Sequence, residues 1–146
     1  MSAVTATEAN KAIARRFLDE AFNQGRLEVI DEIIAPDAVD HDPAPGQAPG
    51  AAGVRQAVSM FRAAFPDLRI ELHDQVAQGD LVCNRWTIHG THQGELMGIP
   101  PTGKRVQVPG IDIVRVAQGK LVEHWATLDQ VGMLQQLGVM PAPGQG

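Results

Sequence analysis

The sequence predicts an α+β domain shaped as a cone, with a curved antiparallel sheet packed on N-terminal helices and enclosing a cavity. Three observations carry this. Apolar residues recur every three to four positions as far as Phe65, and they alternate with a period of two from Leu68 to Leu128. The alternating runs are joined by Gly-containing turns of the kind that link sequential antiparallel strands. A strongly twisted sheet of that sort curls around the helices that precede it.

The first helix is expected to start at the capping box Thr5-Ala6-Thr7-Glu8, where hydroxyl and carboxylate each satisfy an orphan backbone donor. Ile13, Phe17 and Ala21, with Ala14, Leu18 and Phe22 beside them, form one buried stripe, and Gly25 ends the helix. A short second helix is expected over residues 27–35, stopped by Pro36. Residues 42–53 hold three of the ten prolines and three glycines, so they read as a loop that borders the cavity mouth. A third helix buries Val54, Ala57, Val58, Phe61, Ala64 and Phe65 before Pro66. Strands follow from Leu68, over 81–92, over 106–116 and over 121–128, with turns at Gly79-Asp80 and Gln118-Gly119. Asp129 is placed to cap a last helix that Gly138 ends, and the tail from Pro141 is expected to fray.

With 146 residues, the chain has the size of one domain, with a core at about 8–140. Its 44% hydrophobic and 20% charged residues are ordinary for a folded protein. A net charge of −5 with dispersed Lys and Arg argues against nucleic acid as a partner and for a hydrophobic small-molecule ligand. No run approaches the roughly 20 apolar residues of a membrane span, and the N-terminus lacks a signal-peptide layout. The cytoplasm is the expected compartment. Cys83, the single cysteine, sits in an apolar run and reads as a packing residue.

Three segments, Ala64-Phe65-Pro66-Asp67-Leu68, the stretch from Gly90 to Gly103 containing Gly98-Ile99-Pro100-Pro101-Thr102-Gly103, and Glu123-His124-Trp125, resemble the SnoaL-like polyketide cyclases in order and spacing over about residues 8 to 140. The resemblance implies the fold of the nuclear-transport-factor-2-like superfamily, with an internal pocket. It also implies cofactor-free aldol ring closure on a polyketide ester. In those cyclases the residue after Glu-His-Trp is an aspartate acting as general acid/base; here it is Ala126.

Aldol closure needs one or two weak acids in a dry pocket, and histidine suits the task because its ordinary pKa of about 6.5 is easily moved. His124 is the first candidate, since it alternates with Ala126 and Leu128 on the strand face that the resemblance assigns to the pocket; a strand histidine satisfied by a neighbour is the alternative. His41, between Asp40 and Asp42, is the second, with the two aspartates on the opposite face from it. Asp112 interrupts an apolar strand and is either exposed or buried and paired, in which case it could replace the missing acid/base. Arg85 is a structural ion-pair partner or an anion holder, and Trp86, Ala126 and Leu128 are candidate pocket wall. His89 and His92 fall on opposite strand faces, so no metal site is expected. A cyclase without cofactor is the leading reading; a non-catalytic binding protein and a hydratase or epoxide-opening enzyme are the alternatives. A partly apolar outer sheet face points to a homodimer.

Overall fold

The computed structural model describes residues 3–141, with side chains from Ala6. Helix α1 (Ala3–Arg16) runs straight into a π-helix, Phe17–Asn23. The capping box does not start it: Ala3 and Val4 are already helical, so Thr5 lies inside the helix. The expected stripe is buried at Ala14, Phe17, Leu18 and Ala21. The wider π turn brings residues five apart into register, and the Phe17 and Phe22 rings meet edge to face at 5.2 Å. The run ends where Arg62 donates to the carbonyls of Phe22 and Asn23, at 2.5 and 3.2 Å, and Gly25 takes a φ of 70°.

Helix α2 (Glu28–Ile33) is shorter than expected, because Ile34 is already extended and opens strand β1 (Ile34–Asp40). This strand was not among those expected. Pro36 is tolerated in it because β1 is an edge strand, where the missing N–H costs no ladder bond. Helix α3 (Gly50–Ala64) also starts earlier than the loop reading implied. Gly50 has a φ of 75°, and a Cβ there would stand 2.3 Å from the Pro36 carbonyl oxygen, so only glycine lets α3 approach β1.

Strands β2 (Arg69–Gln78), β3 (Leu81–Thr91), β4 (Arg105–Ala117) and β5 (Lys120–Leu128) form the expected antiparallel meander. The sheet as a whole is mixed and unclosed, in the order β1-β5-β4-β3-β2, because β1 adds to β5 in parallel. A parallel neighbour requires a long crossover, and α3 with the β2–β4 meander supplies it. Helix α4 (Gln130–Gln136) follows, and Asp129 caps it by accepting from the Gly132 N–H at 2.8 Å. The Pro141–Gly146 tail lies outside the described residues beyond Pro141.

One apolar cluster joins all of these elements, with Val58 and Phe65 of the helical layer meeting Val82, Val108 and Leu121 of the sheet and Leu137 beyond α4. Each large side chain so buried contributes roughly 1.5–3 kcal/mol. Among the described residues no helix is long and apolar enough to cross a membrane.

Candidate active site

Strand alternation sends every second residue of the sheet to the face the helices cover. On β3 these are Asn84 and Trp86, on β4 Asp112 and Val114, and on β5 Ala126 and Leu128 with His124. Gly110, directly across from Trp86, leaves room for the indole against β4: a Cβ at that position would be 2.4 Å from the ring. Between sheet and helices lies a cavity of about 220 Å3, walled mainly by carbon from residues such as Phe17, Phe22, Phe61, Trp86, Ile88 and Leu128. Its polar end holds Asp40, Asp112 and His124, and Asp42, Gln47, Glu123 and Gln130 also line the cavity.

The pairing register assembles that end. Asp40 on β1 is opposite His124 on β5, while Asp112 on β4 is opposite Ala126, one diagonal step from His124. The His124 imidazole therefore sits between two carboxylates, with Nδ1 3.1 Å from Asp40 Oδ1 and Nε2 3.5 Å from Asp112 Oδ2. Asp40 has two further partners: its Oδ1 also accepts from the Asp42 N–H at 3.0 Å, and its Oδ2 accepts from Gln47 Nε2 at 3.1 Å. Asp112 is 4% exposed and accepts from Asn84 Nδ2 at 2.7 Å through Oδ1.

Burial disfavours the charged ring of His124, but the hydrogen bonds and charges of Asp112 and Asp40 outweigh it and raise its pKa to about 9. At neutral pH the ring is an imidazolium. Asp40 shows the converse: burial pushes its carboxyl up, and the contacts with His124, the Asp42 N–H and Gln47 more than reverse this, holding it below the usual range.

The structure thus brings together His124, Asp112, Trp86, Ala126 and Leu128 from the residues singled out in the sequence. Two others lie elsewhere. His41 is not among the cavity residues; its ring stacks on Trp125 at 4.8 Å and its Nε2 meets Glu123 Oε2 at 2.9 Å. β1 ends at Asp40, and just past it the His41 N–H donates to the His124 carbonyl at 2.9 Å while its ring turns to Glu123 and Trp125. Arg85 likewise falls between inward Asn84 and Trp86, and it pairs with Asp74 at 2.6 Å on the outer face. Asp40 was seen in the sequence only as a companion of His41, and Asn84 and Gln47 were not singled out at all. His89 and His92 do part company, the first bonded to Glu71 and the second buried beside Thr102.

Residues 12–137 match the family model for SnoaL-like polyketide cyclases. The chain is 34% identical to nogalonic acid methyl ester cyclase of Streptomyces nogalater over 81% of its own length and 90% of that protein's. Among solved structures, TsrD from Streptomyces laurentii superposes with a TM-score of 0.84 at 31% identity, covering 91% of this chain and 97% of that one. IdmH from Streptomyces antibioticus superposes with a TM-score of 0.76 at 41% identity, covering 88% and 98%.

Proposed function

Because the chain belongs to the SnoaL-like polyketide cyclase family, we propose that it closes a ring on a hydrophobic, polyketide-like carbonyl substrate by intramolecular aldol addition, using only its own acid and base groups. The observation that supports this is an imidazolium 3.5 Å from a buried carboxylate at the polar end of a carbon-walled cavity. Such a pair sets a proton donor beside a carboxylate acceptor.

In this mechanism Asp112 takes a proton from the carbon next to a substrate carbonyl. The resulting enolate carbon attacks a second carbonyl of the same molecule, and a C–C bond forms. The alkoxide left on that second carbonyl takes the proton of His124 Nε2. The proton on Asp112 then passes to His124, which restores both groups and leaves a product isomeric with the substrate. Asp40 holds Nδ1–H, so the tautomer and the direction of Nε2 are set before substrate arrives. His124 also stabilises negative charge on oxygen as it forms. Trp86 Nε1 is buried without a partner among the described residues, which leaves a donor for a ligand oxygen.

Ala126 does not leave the site without a second proton carrier, because Asp112 faces it across the strand pair. In this reading the carboxylate has moved from one strand to the next. The outer face of β4 exposes Ile111 and Ile113, at 43% and 37%, and we propose a homodimer across it, to be read as twice the chain mass in light scattering at micromolar concentration.

The methyl ester of nogalonic acid, named for the relative, is the first substrate to try. Chromatography with mass detection is expected to show an isomer of unchanged mass, formed about 100-fold or more slowly by Asp112→Asn. Tight binding with no isomer would favour a non-catalytic binding protein, and a gain of one water would favour a hydratase.

A further inference from the structure

Asp112 is the inner end of a hydrogen-bonded relay that reaches the protein surface through Asn84 and Gln75. Arg15 can only donate, and its Nη2 meets Gln75 Oε1 at 3.1 Å. The Lys11 carbonyl can only accept, and Gln75 Nε2 donates to it at 2.9 Å. These two contacts fix which way the Gln75 amide points. The same Nε2 donates to Asn84 Oδ1 at 2.9 Å, which leaves Asn84 Nδ2 to donate to Asp112 Oδ1 at 2.7 Å. A flipped Asn84 would set oxygen against oxygen at that distance. The amide orientation beside the carboxylate is thus dictated from the surface inwards.

The backbone is shaped for this row. Gln75, Asn84 and Asp112 are cross-strand neighbours on β2, β3 and β4. Simple alternation from inward Leu72 would turn Gln75 outwards, but the ladder shifts between Leu72 and Asp74, and this irregularity brings Gln75 to the inner face. Asn84 is 1% exposed in the otherwise apolar inner row of β3, where an aliphatic residue would pack without any need for partners.

We propose that Asn84, held by Gln75, is a positioning residue: it engages Asp112 Oδ1 and so presents Oδ2 to His124 Nε2 and the substrate. The inference rests on the reading of Asp112 as the base. It is tested with nogalonic acid methyl ester on Asn84→Leu and Gln75→Met, each alone and combined with Asp112→Asn. Asn84→Leu is expected to lower kcat about 10- to 100-fold, and Gln75→Met about 3-fold, with KM within about 2-fold, as for a misplaced reacting group. Neither should lower kcat further once Asp112 is Asn. Unchanged kcat in Asn84→Leu, or equal losses with and without Asp112, would overturn the relay. Should Asn84→Leu fail to fold, Gln75→Met at its partly exposed position decides by the same two criteria. Wild-type kcat in Asp112→Asn alone would instead overturn the assignment of the base, whatever Asn84 does.

Discussion

Replacing Asp40 by Asn keeps the shape of the side chain and removes one of the two charges that hold His124 protonated. In the wild-type protein the ring titrates at about 9, against an ordinary value of 6.5 in the unfolded chain. At full strength that gap corresponds to about 3 kcal/mol. The ring is 32% exposed, and screening reduces the figure to roughly 2 kcal/mol. Since the folded value is the higher one, this stabilisation is complete below pH 6.5, declines as pH rises and is gone above about 9. Asp112 is the stronger of the two partners and remains, so Asp40→Asn is expected to lower the His124 pKa by about 1. The part of the stability loss linked to His124 should be about 1 kcal/mol at pH 6.5 and should vanish above about pH 9. Proton NMR of the imidazole from pH 5.5 to 10.5 reads the first quantity, and urea unfolding at three pH values reads the second. A wild-type ring titrating near 6.5, or an unchanged pKa in Asp40→Asn, would refute the account of the site as an imidazolium between two carboxylates.

Turnover of the ester should fall above pH about 9, where the imidazolium is lost, and His124→Ala should remove that limb along with about 100-fold or more of kcat; stopped assays across pH measure both. Trp86→Phe is expected to raise KM about 5- to 10-fold with a smaller change in kcat, as steady-state kinetics would show, because a buried donor is lost with little loss of volume. Ala126→Asp would set a second carboxyl opposite Asp112 and should cost about 1 kcal/mol in urea unfolding at pH 7. The crowded pair favours one bound proton, so the cost should shrink at pH 5, and an equal cost at both pH values would count against the pairing.

Most of the fold is legible because its elements advertise themselves locally. The stripe Ala14-Phe17-Leu18-Ala21 and the alternation through β2 to β5 need no knowledge of partners. β1 is the exception: Ile34-Ala35-Pro36-Asp37 carries no alternation, and it becomes a strand only through pairing with β5. The site divides in the same way. His124, Ala126 and Leu128 share a face by count, but the choice between His41 and Asp40 depends on where β1 ends and how it pairs with β5, and that is set by its distant neighbour. Arg85 and Trp86 were assigned to one pocket although adjacent strand residues cannot share a face. Asn84 escaped notice because a polar residue in a strand usually means an exposed position, and here it means a partner across the sheet.

The parallel addition of β1 to β5 also has a meaning for the order in which the protein is made. Asp40 and His124 are separated by 84 residues, so this contact of the imidazole closes one of the longest loops in the chain. A nascent chain that has reached Ala117 already contains β2, β3 and β4 and can pair them through short turns. At that stage Asp112 is in place but has neither its acid partner nor β1 beside it. His124 meets both carboxylates only when the last strand has been made and the first strand has paired with it, so on the proposed mechanism the acid/base pair is complete only when the sheet is.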